Sequence, residues 1–261
     1  MEKYTDTHSH YFHRLFNKDR HKLIKELLNS DIEYIIECGT DSVSNKKVID
    51  FIDSYKNVYG VIGFFPTNTN ELEDSKVLET FLSQLQHEKV IGIGEIGLDY
   101  YHKGNPKQQK KWFIEQLKLA KKLNLPVCIH SRDAEKDTLD ILKNNGKMDG
   151  VIHCYAYGVK TMQELVKLGY YFGVGGTCTY KNNVELRQAI KEMPLDRIVL
   201  ETDCPYLTPS AVRRERNDSS KIKYVIEEIA RLKSISPEEV VKATNKNVKK
   251  LYPKIIQFSQ D

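Results

Sequence analysis

The chain has 261 residues, 40% of them hydrophobic, which is enough apolar material for one large domain to bury a full core. A formal net charge of +4 is too small for a histone-like or nucleic-acid-coating protein, although it is compatible with an anionic substrate. No hydrophobic run approaches the roughly 18 residues of a membrane span, and the N-terminus lacks a secretory signal pattern. The five cysteines are odd in number and widely spaced, which is typical of free thiols in a reducing compartment. We therefore expect a soluble, cytoplasmic protein without a membrane partner.

Short β-rich runs alternate with helical patterns along most of the chain. Two further helical patterns follow the last predicted strand. The predicted strands are 3–7, 34–38, 58–63, 90–93, 127–129, 151–152, 170–174 and 198–200. The predicted helices between them are 22–28, 46–55, 77–86, 107–123, 134–143, 160–168 and 184–191.

Eight strands that alternate with helices, several of them apolar throughout, predict a (β/α)8 TIM barrel that forms a single domain over residues 1–261. A doubly wound open sheet is the alternative. It is less favoured because no glycine-rich dinucleotide or phosphate loop follows the first strand. The longest stretch without a clear pattern is 208–221, and long loops in compact domains are usually functional or mobile.

The pair His8 and His10 places two imidazoles on one face of a strand, an arrangement that suits a metal ion. Taken alone, the pair is equally compatible with ordinary polar residues near a terminus. In a TIM barrel, however, functional side chains lie at the C-terminal ends of the strands. Further candidate ligands occur at such ends. They are Glu95 after strand four, His130 after strand five, His153 after strand six and Asp203 after strand eight.

Four histidines and two carboxylates exceed the needs of one tetrahedral ion, but they suit two divalent ions about 3.5–4 Å apart that share a carboxylate. Such a pair indicates hydrolysis, because one ion lowers the pKa of a bound water and both neutralise charge that develops on the substrate. Each residue also has a structural interpretation. His130 and His153 are compatible with core histidines, and Glu95 with a brace for its loop. Glu201 and Asp203 are compatible with a buried ion pair to a lysine or arginine. Their coincidence at strand ends favours the metal centre.

Other polar and aromatic residues remain open between functional and structural roles. The arginines of the 208–221 stretch suit either a substrate phosphate or a solvated charged surface, and these are Arg213, Arg214 and Arg216. Several tyrosines near strand ends suit either base stacking or pocket walls, namely Tyr100, Tyr101, Tyr155, Tyr157 and Tyr206. The other histidines are expected at the surface: His13, His21, His87 and His102.

Longer motifs occur in a fixed order along nearly the whole chain. They are DTHSH at 6–10, GEIGLDY at 94–100, a helix with Gln108, Phe113 and Gln116, LPVCIHSRDAEKD at 125–137, GVIHCY at 150–155, PLDRIVLETDCPYLTP at 194–209 and ATNKNVKKLY at 243–252. With these motifs the chain resembles a TatD-type metal-dependent deoxyribonuclease of the amidohydrolase-like superfamily. The resemblance implies a TIM barrel that hydrolyses phosphodiester bonds in DNA with divalent cations.

The resemblance also implies roles for individual residues. One ion would be held by His8, His10 and Asp203, and the other by His130 and His153, with Glu95 bridging the two. Asp203 and Glu95 would be the catalytic residues, and Asp203 would also orient or deprotonate the attacking water. Arg213 and Asn217 match a substrate-contacting segment of the family.

The chain departs from the family pattern at two places. Residues 63–66 read Gly-Phe-Phe-Pro, so that Phe65 stands where the family usually has a histidine, and this departure bears on turnover or substrate preference. In the arginine loop, Arg214 stands where the family has a glycine and Ser219 stands where the family often has a proline, which predicts a differently shaped loop.

We expect a deoxyribonuclease that uses two divalent cations (Mg, Mn, Zn or Co) and acts on DNA, from the end of a single strand. Two alternatives remain at this level. One is a metal-dependent amidase or lactonase, because the same ions and water can attack a carbonyl group. The other is a weakly active metal-binding barrel, suggested by Phe65 alone.

Overall fold

The predicted strands form one parallel sheet, paired in sequence order, in the computed structural model, which describes residues 2–257. Met1 and the last four residues, which the predicted domain includes, lie outside the described residues. The strands are β1 (Tyr4–Ser9), β2 (Ile32–Cys38), β3 (Val58–Ile62), β4 (Val90–Asp99), β5 (Val127–Arg132), β6 (Gly150–Ile152), β7 (Tyr171–Val174) and β8 (Ile198–Leu200).

The sheet closes on itself where β1 meets β8. The hydroxyl of Thr7 donates to the carbonyl of Leu200 at 2.9 Å. Beyond it, the amide of Asp203 donates to the carbonyl of His8, and the amide of His10 donates to the carbonyl of Cys204, both at 3.0 Å. The predicted TIM barrel is therefore confirmed, because an open doubly wound sheet would leave these first and last strands apart.

Helices cover the outside of the barrel. They are α1 (Arg20–Asn29), α2 (Ser42–Ile52), α3 (Ser75–Gln84), α4 (Pro106–Leu123), α5 (Glu135–Asn145), α6 (Val159–Leu168), α7 (Val184–Glu192), α8 (Ile222–Lys233), α9 (Pro237–Leu251) and α10 (Lys254–Gln257). Local sequence fixes several of their starts. Asp41 and Ser236 form capping boxes, and Asn105 accepts hydrogen bonds from the first turn of α4, where Pro106 follows. Among the described residues, no helix is both long enough and apolar enough to span a membrane.

Three strands, β1, β4 and β5, continue beyond their predicted C-terminal ends, and this changes where the site residues lie. β4 continues beyond 93 to Asp99, and β5 continues beyond 129 to Arg132, because Gly97 pairs with His130 and the two strands stay in register to their ends. Glu95 and His130 were expected just after their strands, but both lie within them. His8 likewise lies inside β1. The apolar runs ended too early to reveal these polar ends of the strands.

The apolar residues form two clusters. The larger cluster lies between the sheet and the helices. The second combines alternate residues on the inner face of the barrel strands, such as Tyr34 and Tyr59, with residues of the C-terminal helices. Leu251, Tyr252 and Ile255 are fully buried in this second cluster. The C-terminal segment therefore closes the N-terminal end of the barrel with apolar side chains, and the opposite end is left for polar groups.

Two neighbouring isoleucines of α10 provide a matched test of this closure. Ile255 is 0% exposed and Ile256 is 40% exposed. We expect Ile255→Ala to lower the free energy of unfolding by about 2–5 kcal/mol, because it opens a cavity in the barrel interior. Ile256→Ala should change it by about 0.5 kcal/mol or less. Urea denaturation of both variants measures the difference, and equal losses would contradict the proposed closure.

Candidate metal centre

Four ligand atoms lie close together at the C-terminal end of the barrel. The Nε2 atoms of His8 and His10 are 3.1 Å apart. Asp203 Oδ1 lies 3.6 Å from the first of these atoms and 3.2 Å from the second. Glu95 Oε2 lies 3.5 Å and 3.8 Å from the same two atoms. Ligands of a tetrahedral ion with bonds of about 2.1 Å are separated by about 3.4 Å, so these separations fit one ion.

A second group shares the same carboxylate. Glu95 Oε1 lies 2.9 Å from His130 Nδ1 and 3.4 Å from His153 Nε2. Glu95 therefore directs one oxygen to each group, as a bridging carboxylate requires. All six residues that the sequence predicted as ligands come together in this way.

The outer nitrogens of two histidines are fixed by oxygen acceptors. His10 Nδ1 lies 2.9 Å from the carbonyl oxygen of Cys38. His130 Nε2 lies 2.9 Å from Asp99 Oδ2. When these nitrogens donate, the opposite nitrogen of each ring presents its lone pair to the cluster, which is how metal-binding imidazoles are usually oriented.

The other two histidines have less usual neighbours. His8 Nδ1 contacts the Sγ atom of Cys128 at 3.3 Å. His153 Nδ1 lies 3.3 Å from Glu201 Oε1, although without the alignment of a hydrogen bond. One interpretation of the sequence paired Glu201 with a lysine or arginine, but no such pair forms among residues 2–257. Instead it accepts a hydrogen bond from the amide of Cys154 at 2.7 Å.

Burial and charge act against each other at the bridging carboxylate. Glu95 is 4% exposed, and burial opposes its ionisation. The nearby imidazoles of His153, His130 and His8 outweigh burial, so the pKa of Glu95 lies well below its usual range. Burial also disfavours the charged form of His153, but Glu201 and Glu95 outweigh it and raise the pKa of this imidazole well above its usual value. The anionic oxygens of the cluster are thus stabilised by positive charge close to them.

Sequence reasoning missed several residues that orient the ligands. A signal existed for Asp99, because it follows Glu95 by four residues in β4 and a strand directs every second side chain to the same face. No local signal marked Cys128, which approaches His8 from a strand 120 residues away.

The structure shows other contacts for the two residues predicted to contact substrate. Asn217 is 1% exposed, and its Nδ2 donates to the carbonyls of Thr202 at 2.9 Å and Tyr206 at 2.6 Å. It therefore braces the loop that follows β8. The guanidinium of Arg213 lies 4.9 Å from the centre of the Tyr180 ring. Substrate contact by either residue stays a prediction.

The structure separates the arginines of this loop. Arg216 makes two hydrogen bonds to the carboxylate of Asp19, at 2.9 Å and 2.6 Å, and lies over the ring of Phe16. This interaction fixes the loop to the start of α1 and occupies the guanidinium, so Arg216 has a structural role.

A cavity of about 680 Å³ opens above the ligand atoms. Its walls include Phe65, whose ring centre is 4.5 Å from that of His130, and the side chains of Arg132 and Tyr206. Of the tyrosines considered from sequence, Tyr206 thus lines the cavity, whereas Tyr155 is buried with its hydroxyl bonded to the carbonyl of Gly158. His102, expected at the surface, is exposed but also lines this cavity.

The family model described as TatD related DNase matches residues 5–253. The chain belongs to this family. The uncharacterized metal-dependent hydrolase YabD of Bacillus subtilis is 37% identical over 251 residues, which cover 95% of this chain and 98% of YabD. YcfH of Escherichia coli, also an uncharacterized metal-dependent hydrolase, is 32% identical over 253 residues, which cover 95% and 94% of the two chains.

Solved structures of TatD proteins have the same fold. The TatD homologue YjjV of Escherichia coli superposes with a TM-score of 0.88 at 28% identity and covers 96% of this chain and 98% of its own. The protein is therefore a metal-dependent hydrolase of the TatD family. Its donor set of imidazole nitrogens and carboxylate oxygens fits the divalent metal that the TatD family uses.

Asp99 provides a test of how the ligands are oriented. Its Oδ2 holds His130 Nε2, and an amide in its place would present a donor to a donor. We expect Asp99→Asn to weaken the binding of divalent metal about 10–100-fold. Isothermal titration with Zn²⁺ or Mn²⁺ measures the loss. Asp53→Asn is the matched control, because Asp53 contacts His87 at the surface in the same way. Unchanged affinity in Asp99→Asn would contradict the orienting role.

Proposed function

We propose that the protein is a deoxyribonuclease that hydrolyses phosphodiester bonds in DNA with two divalent cations. The observation that carries this proposal is the division of the ligand atoms into two groups that share Glu95 at the floor of an open cavity. A carboxylate with one oxygen in each group suits two ions that act on the same substrate group.

Each group has its own donors in this proposal. His8, His10, Asp203 and Glu95 would hold one ion, and His130 and His153 together with Glu95 would hold the other. When bound, the ions supply Lewis acidity that polarises the phosphodiester and offsets the charge that develops on it. Four imidazoles favour Zn, Mn or Co over Mg, which prefers oxygen ligands.

Asp203 is the proposed acceptor of a proton from the attacking water. Its side chain is 19% exposed, compared with 5% for Glu95, and it lines the cavity. Burial disfavours its ionised form, but a hydrogen bond from His10 and the charge of His153 outweigh burial and lower its pKa. An ionised carboxylate at the cavity wall can orient a water and take up its proton.

The cavity wall favours an anionic substrate over a neutral amide or lactone. The guanidinium of Arg132 lines the cavity and lies 3.8 Å from the centre of the Tyr101 ring. Arg132 can bind a phosphate, and the half-exposed ring of Tyr206 offers a surface for a base. We propose that an end of single-stranded DNA enters this cavity. Arg213 and Asn217, in the loop after β8, are proposed to contact this substrate.

The proposed function is tested with end-labelled single-stranded DNA. We expect nucleotide release that depends on Mn²⁺, Zn²⁺, Co²⁺ or Mg²⁺ and stops with EDTA. Glu95→Ala should abolish nucleotide release, because both ligand groups lose the carboxylate that they share. Circular dichroism should show that the barrel of this variant is still folded. Glu115→Ala is the matched control, because Glu115 lies on the surface of α4 and pairs with Lys118. Near-normal release by Glu95→Ala would remove this residue from the mechanism, and no release with any metal would exclude the nuclease.

Phe65 allows a second test of the cavity. Phenylalanine cannot hydrogen-bond a phosphate oxygen, whereas a histidine at the same wall could donate one hydrogen bond. We expect Phe65→His to raise the rate of DNA hydrolysis about 10-fold, the equivalent of one hydrogen bond to a charged group. Steady-state kinetics with bound metal quantified in both proteins measures the gain. If the rate does not rise, an imidazole at this position is irrelevant to turnover.

A further inference from the structure

His102 is held against a buried carboxylate at the edge of the cavity. It lies in the loop after β4, its side chain is 52% exposed, and it lines the cavity above the ligand atoms. Its backbone amide donates to Asp99 Oδ1 at 2.8 Å, and its Nδ1 lies 2.9 Å from Asp99 Oδ2. Two contacts to one carboxylate fix both the loop and the ring.

Asp99 is itself fixed from outside the barrel. Its side chain is 0% exposed, and its backbone is held by Gln109 of α4. The amide of Asp99 donates to Gln109 Oε1, and Gln109 Nε2 donates to the carbonyl of Asp99, both at 2.9 Å. Because Asp99 Oδ2 also lies 2.9 Å from His130 Nε2, one oxygen holds a ligand histidine and His102 together. The position of His102 is thus coupled to that of the metal centre.

This carboxylate determines which nitrogen of His102 is free. Asp99 Oδ1 accepts a hydrogen bond from the amide of His102, and Asp99 Oδ2 lies 2.9 Å from both His102 Nδ1 and His130 Nε2. A carboxylate oxygen accepts from both ring nitrogens, so His102 Nδ1 carries a proton. No described residue forms a hydrogen bond with His102 Nε2. An imidazole that a carboxylate orients in this way, with its other nitrogen free, is suited to proton transfer.

The remaining titratable groups of the cavity wall are less suited to donate a proton. The guanidinium of Arg132 suits the binding of an anionic group rather than the transfer of a proton. Burial raises the pKa of the Cys154 thiol to about 12. The hydroxyl of Tyr206 lies 3.3 Å from His13 Nε2 and has a ring nitrogen as a partner. His102 is therefore the best placed donor in the described part of the cavity wall.

We propose that His102 is a further catalytic residue, which donates its Nε2 proton to the oxygen that leaves the phosphorus. This proposal rests on the proposed function. The oxygen of water bonds to phosphorus as the bond from phosphorus to the leaving oxygen breaks. His102 acts in its doubly protonated form, in which Nδ1 stays bonded to Asp99 and Nε2 carries the second proton. The leaving oxygen takes this Nε2 proton and departs as a nucleoside hydroxyl. The attacking water gives one proton to Asp203. Asp203 then releases this proton to solvent, and His102 Nε2 takes one up from solvent, so that both residues return to their starting forms. The reaction involves no oxidation or reduction, and water is the only reactant besides the substrate.

The dependence on the leaving group tests this role. A DNA strand must release an alkoxide, which needs a proton, whereas a p-nitrophenyl ester of thymidine monophosphate releases a stabilised phenolate, which does not. We expect His102→Ala to lower kcat/KM about 100-fold on DNA and less than about 3-fold on the p-nitrophenyl ester. Both substrates are measured with the full chain loaded with Mn²⁺. Bound metal should be unchanged, because His102 is not among the proposed ligands.

His87→Ala is the matched control. His87 Nε2 lies 3.0 Å from Asp53 Oδ1. This variant therefore removes the imidazole of a similar imidazole–carboxylate contact that does not line the cavity. It should keep wild-type rates on both substrates.

Three results would overturn the proposal in distinguishable ways. Equal losses on the two substrates would assign His102 to substrate positioning or to support of Asp99. Wild-type rates on DNA in His102→Ala would remove it from the reaction. If the wild-type protein cleaves neither substrate with Mg, Mn, Zn or Co, the proposed function fails, and the role of His102 fails with it.

Discussion

The buried carboxylate of Glu95 is the group around which the site is built. Its two oxygens face different pairs of imidazoles, His8 with His10 and His130 with His153. A carboxylate in this environment is unfavourable without positive charge nearby, and protonated imidazoles or divalent cations can both supply that charge. The geometry that stabilises the ionised Glu95 therefore also favours cation binding.

The barrel makes this arrangement possible by separating its two ends. Tyrosines and aliphatic residues on the inner face of the strands fill the N-terminal end together with side chains of α9 and α10. Polar side chains consequently gather at the other end, where β1, β4 and β5 extend far enough to carry His8, Glu95 and His130. This division agrees with the general rule that residues at the bottom of a TIM barrel stabilise it and residues at the top carry chemistry.

Helix α4 connects the outer layer to the site through two buried amides. Gln109 holds the backbone of Asp99, and Gln116 holds the backbone of Phe64, whose amide donates to Gln116 Oε1 at 2.9 Å. The first contact positions the carboxylate that orients His130 and His102, and the second fixes the residue before Phe65. One helix thereby sets two walls of the cavity.

The sequence by itself determined the barrel and the six candidate ligands, because both depend on local patterns. Apolar runs alternate with helical periods, and the polar residues that end the strands of a parallel barrel must meet at one edge. The ends of the strands were harder to predict from the sequence, because Gly97 and His130 belong to β4 and β5 through strand pairing rather than through apolar periodicity.

Only the tertiary structure decided which groups surround the ligands. The contact of Cys128 with His8 joins distant strands, Asn217 proves to be buried, and His102 reaches the cavity through Asp99. Each depends on how strands and loops pack against one another in the closed barrel. No local pattern encodes such a relation, because it arises only when the closed barrel brings these strands and loops together.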